Sequence, residues 1–186
     1  MKNNYLYRMR IDHIAYRVPD RDATAKFFVE AFGYRIEDEF CIDFEDGTSA
    51  KCYALSPPER YSKTDFAPPD WASLGKVSEY HVPPEIFVSQ GTEASVVQEW
   101  VQKRDNIGGI HHIAYQVKDV HAIMKEWTEK GWAEFTTDEP IVAEGIVQCF
   151  TKPHPLTGII YEFIYRTNKG FNINNVRDLM ESTEGL

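Results

Sequence analysis

The sequence predicts an α+β domain in which two tandem βαβββ modules form one curved sheet around a trough, followed by a C-terminal helix. The main observation is a repeat: DHIAYRV at residues 12–18 returns as HHIAYQV at residues 111–117, an offset of 99 residues. Nine of the 18 positions from residue 13 to residue 30 are identical at this offset. Similar strand and helix patterns follow each copy, so the sequence indicates an internal duplication within a single domain, residues 1–186.

The first strand of module one, which covers about residues 9–90, alternates between two faces. Its apolar face consists of Ile14, Tyr16 and Val18. The other face consists of His13, Ala15 and Arg17. Because the apolar face is the better partner for a helix, we expect the second face to line the trough.

The helix of module one is predicted over about residues 22–32, with Asp20 or Asp22 as its N-cap and Gly33 at its end. Four side chains form its expected buried face: Phe27, Phe28, Ala31 and Phe32. Three further strand patterns complete the module: residues 34–45, 49–56 and 79–89. Residues 57–75, rich in Pro and Ser, are predicted to form a long irregular loop before the last of these strands.

A helix at about residues 94–104, with Val97, Trp100 and Val101 facing inward, is predicted to join the modules. Module two, at about residues 108–167, then repeats the plan with a strand near 110–117 and a helix near 119–131. Three strand patterns follow: residues 132–137, 144–152 and 158–166. A final short helix is predicted at about residues 172–182.

Two histidines and one glutamate are the candidate metal ligands. His13 and His112 are equivalent across the duplication, so both are expected to face the trough. Glu162 has the same orientation on the closing strand, where an unpartnered buried carboxylate would be costly. Two imidazoles and one carboxylate typically bind a divalent metal with open coordination positions. His111 has the opposite strand parity, so we expect it on the helix side or behind the ligands.

The composition argues against nucleic acid and membrane partners. The net charge is −9 with a pI of about 5.1, and an acidic surface repels phosphate backbones. No apolar stretch approaches the roughly 20 residues of a transmembrane helix. The three cysteines, Cys41, Cys52 and Cys149, are widely spaced and without a CxxC motif. Reduced thiols and a cytoplasmic location are therefore expected.

The duplicated βαβββ plan with DHIAYRV and HHIAYQV resembles the vicinal-oxygen-chelate superfamily, also called glyoxalase/bleomycin-resistance-like. Three segments are most similar to the catalytic half of 4-hydroxyphenylpyruvate dioxygenase: residues 145–153 (GIVQCFTKP), 160–166 (IYEFIYR) and 169–182. This resemblance implies that His13, His112 and Glu162 bind Fe(II). It also implies that Gln148 and Phe150 face the substrate, and that Phe171 acts as a gate.

A second resemblance is to methylmalonyl-CoA epimerase, through residues 95–100 (SVVQEW) and 109–120 (GIHHIAYQVKDV). It implies a fourth ligand, for which Glu85 is the nearest candidate. The first resemblance implies Fe(II)- and O₂-dependent oxidation of a 2-oxo acid or a related small substrate. The second implies epimerase, isomerase or lyase chemistry with another divalent metal such as Co, Zn, Mn or Ni. A metal-free binding protein is a third interpretation, and the superfamily resemblance suggests a homodimer.

Overall fold

The secondary-structure elements follow the predicted order in a computed structural model, which describes residues 9–58, 83–143, 145–167 and 173–186. Module one consists of β1 (Arg10–Arg17), α1 (Arg21–Phe32), β2 (Arg35–Asp43), β3 (Ser49–Ser56) and β4 (Glu85–Gly91). The connecting helix is α2 (Val96–Gln102). Module two consists of β5 (Gly109–Gln116), α3 (Val120–Glu129), β6 (Ile141–Ala143), β7 (Ile146–Phe150) and β8 (Ile160–Arg166). The last helix is α4 (Ile173–Glu181).

The described strands form one eight-stranded sheet in the order β2-β3-β4-β1-β5-β8-β7-β6. The two modules meet where β1 pairs with β5 in antiparallel orientation. Within each module the first strand pairs in parallel with the last, β1 with β4 and β5 with β8. The predicted pair of βαβββ modules is therefore confirmed. The predicted loop at residues 57–75 and the start of the predicted strand at 79–89 fall largely outside the described residues.

The helix starts show the duplication again. The Asp20 carboxylate accepts a hydrogen bond from the Ala23 backbone N–H at 2.9 Å, and Asp119 accepts from Ala122 at 3.0 Å. These caps satisfy N–H groups that a helix leaves unpaired in its first turn. Gly33 ends α1 with a φ of 73°, a left-handed conformation that favours glycine. The predicted cap at Asp20 and the predicted end at Gly33 are therefore confirmed.

The expected buried face of α1 is only partly right. Phe28 packs against the β1–β4 part of the sheet, but Phe27 and Phe32 are 55% and 57% exposed, and Ala31 is also exposed. The inward positions belong instead to Arg21, Ala25 and Phe28, which are spaced four and three residues apart. Arg21 takes a buried position because Asp22 and Glu39 neutralise its charge.

The predicted strand at residues 132–137 is wrong. Only Phe135 pairs there, in an isolated bridge with Thr151. The chain then bends at residues 136–139 and resumes pairing as β6, which lies antiparallel to β7. After Thr136 and Thr137 the β-branched pattern is interrupted by Asp138, Glu139 and Pro140. The two acidic residues are unfavourable in strands, and the proline cannot donate a ladder hydrogen bond.

The C-terminal helix covers the trough. Met180 and Val176 of α4 pack with Ala15 of β1 and Phe87 of β4. Leu179 packs with Phe150 and Ile160 in module two. The outer face of the sheet packs against α1 and α3, so helices cover both faces of the described sheet. In the described part of the chain, no helix is long and apolar enough to cross a membrane.

Candidate metal centre

The three predicted ligands lie together on three strands, β1, β5 and β8, that neighbour one another in the sheet. One ligand atom of each lies within 4.8 Å of the others. The Nε2 atoms of His13 and His112 are 3.2 Å apart. Oε2 of Glu162 lies 3.3 Å from Nε2 of His13 and 3.1 Å from Nε2 of His112. The duplication therefore brings residues separated by 99 and 50 positions to a common point.

The surroundings of Glu162 fit a metal ion. The residue is 1% exposed, and among the described residues neither of its carboxylate oxygens has a hydrogen-bond partner. The two Nε2 atoms approach Oε2 without hydrogen-bond geometry. A buried carboxylate whose oxygens accept no hydrogen bond is unfavourable, whereas a cation between one carboxylate and two imidazoles removes that cost. The donor set of two nitrogens and one oxygen matches the 2-His-1-carboxylate facial triad.

Two irregularities in the β1–β5 pairing shape this site. Register shifts occur between Ile11 and Ile14 and between Ala15 and Tyr16, as at β-bulges. At the second shift, Ala15 pairs with His112 and Tyr16 with Ile110, so His111 is an extra residue on β5. Strict alternation places His111 on the helix side, but the structure has the other expected arrangement: His111 lies behind His112, in the same cavity as the candidate ligands.

Each candidate ligand histidine is held by the residue that precedes it. The Nδ1–H of His13 donates to the Asp12 carboxylate at 3.0 Å. Nδ1 of His112 is hydrogen-bonded to Nδ1 of His111 at 2.8 Å. Asp12 and His111 are themselves equivalent in the repeat, since 111 − 12 = 99. These bonds orient both rings with Nε2 toward Glu162, as outer partners of metal ligands do. The repeat offset was the sequence signal that could have identified both residues.

The two ligand histidines differ electrostatically. Burial lowers the pKa of His13, but the Glu162 charge and the hydrogen bond to Asp12 outweigh it and raise that pKa to about 9. Burial lowers the pKa of His112, and a neutral imidazole rather than a carboxylate stands behind it. Burial raises the pKa of Glu162, yet the charge of His13 and the His112 contact bring it down to about 2. Without metal, His13 and Glu162 thus form an ion pair.

Glu85, the possible fourth ligand, faces a different partner. Its Oε2 lies 2.7 Å from Nη2 of Arg166, which also contacts the Asp12 carboxylate at 2.9 Å. Among the described residues, the cluster of candidate ligands contains His13, His112 and Glu162 but not Glu85. Glu85 is nevertheless the register neighbour of His13 on β4. Glu85 is therefore the neighbour of His13 in the sheet, but the charge of its carboxylate is neutralised by Arg166.

The cavity at the site is small and covered by α4. Its volume is about 30 Å³, which is room for about two water molecules. Gln148 and Phe150 of β7, for which the resemblance implies a position facing the substrate, line this cavity. The Phe150 ring lies 4.6 Å from the His112 ring, centroid to centroid. Val176, Leu179 and Met180 close it from α4. A substrate therefore enters only if α4 or the lining side chains move. Phe171, the predicted gate, lies outside the described residues.

The protein therefore belongs to the class in which two βαβββ modules share one sheet and form a trough with a candidate metal site, here two histidines and one glutamate. The family model described as "Glyoxalase/Bleomycin resistance protein/Dioxygenase superfamily" matches residues 12–150, which is most of the chain. The chain belongs to this superfamily, as its resemblance to vicinal-oxygen-chelate proteins predicts. A comparison with curated proteins finds no match.

Solved structures of two kinds share the fold. A methylmalonyl-CoA epimerase is 24% identical with a TM-score of 0.60, covering 85% of this chain and 95% of its own. The Mycobacterium tuberculosis methylmalonyl-CoA epimerase is 18% identical with a TM-score of 0.61, and the match covers 91% of this chain and 95% of the epimerase. A mutant 4-hydroxymandelate synthase from Streptomyces coelicolor is 17% identical with a TM-score of 0.70, covering 95% of this chain and 54% of its own. At these identities the likeness concerns the fold alone.

Proposed function

We propose that this protein is an Fe(II)-dependent oxygenase that oxidises a 2-oxo acid or a related small molecule. The observation that carries the proposal is the three-donor cluster of His13, His112 and Glu162, with Glu85 held away by Arg166. These three side chains would hold the metal and leave open coordination positions, as the 2-His-1-carboxylate triad of non-haem Fe(II) oxygenases does. When bound, Fe(II) would supply Lewis acidity and redox chemistry with O₂.

The chain's own residues would position the substrate. The Gln148 amide lines the cavity and can donate a hydrogen bond to a substrate oxygen. Phe150 packs against His112 and supplies an apolar wall. Leu179 and Met180 of α4 exclude water from the site, which strengthens polar contacts inside it. Phe171, just before α4, is proposed as the gate that completes this closure.

A second candidate is a divalent-metal epimerase, isomerase or lyase. Glu85 favours it, because its backbone position is opposite His13 on the neighbouring strand. If Glu85 left Arg166 and became a fourth ligand, fewer open positions would remain and O₂ would have less room. His13, His112, Glu162 and Glu85 would then hold Co, Zn, Mn or Ni, which would supply Lewis acidity for proton-transfer chemistry.

Metal analysis and an oxygen-electrode screen of 2-oxo acids separate the candidates. The oxygenase proposal predicts bound iron and oxygen uptake in the wild type, both lost in Glu162→Gln. It also predicts that Glu85→Gln keeps its metal, as should Glu134→Gln, a surface control paired with Lys152. Loss of metal in Glu85→Gln, with exchange of solvent deuterium into substrate and no oxygen uptake, would instead support the epimerase type. Both candidates would be contradicted if the purified wild type contained no metal and His13→Ala still bound ligand.

We also propose that the protein acts as a homodimer in the cytoplasm. The superfamily resemblance supports the dimer, and three free cysteines, Cys41, Cys52 and Cys149, fit a reducing compartment. Light scattering after size-exclusion chromatography tests the dimer. A monomer mass at micromolar concentration would contradict it.

A further inference from the structure

Arg17 is a buried cation on the trough face of β1, four residues after the ligand His13. It is 2% exposed, and its two hydrogen bonds go to neutral acceptors. Nη2 donates to the Thr183 hydroxyl at 2.9 Å, and Nη1 donates to the Val96 carbonyl at 3.3 Å. Its register neighbours in the sheet, Ser89 and Gly109, carry no charge. Within the described residues, no carboxylate forms an ion pair with it.

Two other arginines in the described part of the chain, one buried and one half-buried, are neutralised. Arg21 lies 2.8 Å from the Asp22 carboxylate and 3.0 Å from that of Glu39. Arg166 contacts both Asp12 and Glu85. For Arg17, burial and, to a smaller extent, the positive charge of a second arginine, Arg104, lower the pKa to about 9. An unpaired charge in a dry site is expensive, so an anion that enters this site would be bound strongly.

A second buried donor lies in the same cavity. Among the described residues, Nε2 of His111 has no hydrogen-bond partner, although the ring is buried. When Nε2 of His112 holds a metal, the proton of that ring is on Nδ1 and is donated to Nδ1 of His111. The proton of neutral His111 is then on Nε2. His111, which lines the same cavity as Arg17, therefore carries a buried N–H that no other described group uses.

We propose that Arg17, with the N–H of His111, forms an anion-binding subsite, and that the substrate carries a carboxylate there in addition to the oxygens that bind the metal. The Cα atoms of Arg17 and His13 are about 13 Å apart along the strand, from four residues at about 3.3 Å each. Ala15, Phe87 and Met180 line the cavity with apolar surface. The substrate class is therefore a 2-oxo acid with an apolar chain and a second acidic end. This substrate assignment rests on the proposed chelation at the metal.

The subsite also connects the substrate to the end of α4, the helix that covers the trough. The Thr183 hydroxyl that accepts from Arg17 follows directly after α4 and donates to the Met180 carbonyl at 2.6 Å. A carboxylate bound to Arg17 replaces a neutral acceptor with a charged one, which adds charge–charge attraction to the hydrogen bond. The anion would thus take over the contact that Arg17 makes with the end of α4.

The first experiment tests the subsite without the metal. Calorimetry measures the binding of pentanoate, an apolar monocarboxylate with no chelating oxygen pair, to the full chain after chelator treatment. Wild type should bind it, and Arg17→Gln should weaken binding by at least about 10-fold, the effect of losing a charge-assisted hydrogen bond. The matched control Arg104→Gln removes a cation that lies over Trp100 and does not line the cavity, and should change the affinity by less than about 3-fold. No binding to wild type, or equal binding to Arg17→Gln, would overturn the proposal.

The second experiment uses the Co(II)-loaded protein and compares 2-oxoadipate with 2-oxohexanoate, which lacks the second carboxylate. Wild type should prefer the diacid by about 10-fold or more, and Arg17→Gln should lose this preference while keeping its affinity for the monoacid. Equal affinities in wild type would overturn the assignment of a diacid substrate. If neither 2-oxo acid binds but pentanoate still needs Arg17, the subsite stands and the proposed chelation function fails.

A further variant keeps the test decisive if Arg17→Gln does not fold. Thr183→Val removes a neutral acceptor and leaves the guanidinium in place. It should bind pentanoate at least as tightly as wild type, because Arg17 then has one more free donor. Weaker binding would overturn the proposal. Arg17→Lys keeps the charge without the planar fork, and should retain part of the preference for the diacid.

Discussion

A metal that binds His13, as proposed, would have to displace a proton. Burial lowers the pKa of His13, but the Glu162 charge and the Asp12 hydrogen bond raise it from 6.5 to about 9. A metal binds only the neutral imidazole, so the apparent affinity falls about 10-fold for each pH unit below this pKa. At about pH 7, about 1% of the metal-free protein has a neutral His13. The affinity at about pH 7 should therefore be roughly 50-fold weaker than at about pH 9.

The assay is a titration with Co(II) or Zn(II) against a competing chelator at several pH values, corrected for the protonation of the chelator. Calorimetry at about pH 7 in buffers of different ionisation enthalpy counts the released protons and should give about one per metal. Equal affinity at about pH 7 and about pH 9, or metal binding without proton release, would refute the reasoning.

A variant pair locates the origin of the effect. In Asp12→Asn the amide oxygen can still accept from Nδ1 of His13, and the charge of Glu162 still raises the pKa of His13, but the smaller contribution from the charge of Asp12 is gone. The pH range in which the affinity changes should move to lower values. Asp38→Asn, which removes an exposed carboxylate on β2, should leave the profile unchanged. An unaltered profile in Asp12→Asn would show that Asp12 does not control the proton on His13.

Three further outcomes are expected. In the metal-free protein, the raised pKa of His13 stabilises the fold fully below about pH 6.5, and this contribution is lost as the pH rises through about 9. Urea unfolding at several pH values measures the free energy of unfolding, and a value that does not change over this range would contradict the prediction. Phe150→Ala should lower the free energy of unfolding by about 3–5 kcal/mol, because the ring is buried against His112, Ile160 and Leu179. A loss under about 1 kcal/mol in the same assay would contradict this, because it would mean that neighbouring side chains fill the cavity left by the ring. Gln148→Ala should keep the metal content and reduce kcat/KM by about 10-fold through lost orientation of the substrate, whereas loss of metal would assign Gln148 to the metal centre.

Local patterns carried much of the prediction. The repeat at the offset of 99 residues predicted both modules, and strand parity predicted that His13 and His112 share a face. Asp20 and Gly33 mark the ends of α1 because a cap and a left-handed turn depend on few neighbouring residues. Glu162 was predictable because a carboxylate inside an apolar strand has few explanations other than a partner.

Features that depend on pairing between distant segments were not predictable. Strand alternation places His111 on the wrong face, because the bulge exists only where β5 meets β1. The helix pattern placed Phe27 inward, whereas Arg21 is inward because Glu39 on a neighbouring strand neutralises it. Glu85 resembles a ligand in the sequence, yet Arg166, 81 residues away, holds it.

The amino-acid sequence by itself determined the two modules, their helix ends and the three metal-ligand candidates, because each depends on periodicity, on local capping or on an internal repeat. Only the tertiary structure decided which charges meet. It pairs Asp12 with His13 and Arg166, brings His111 behind His112, and leaves Arg17 in the trough with neutral acceptors. The free energy of a buried charge depends on what surrounds it in space, and those surroundings come from segments far apart in the chain.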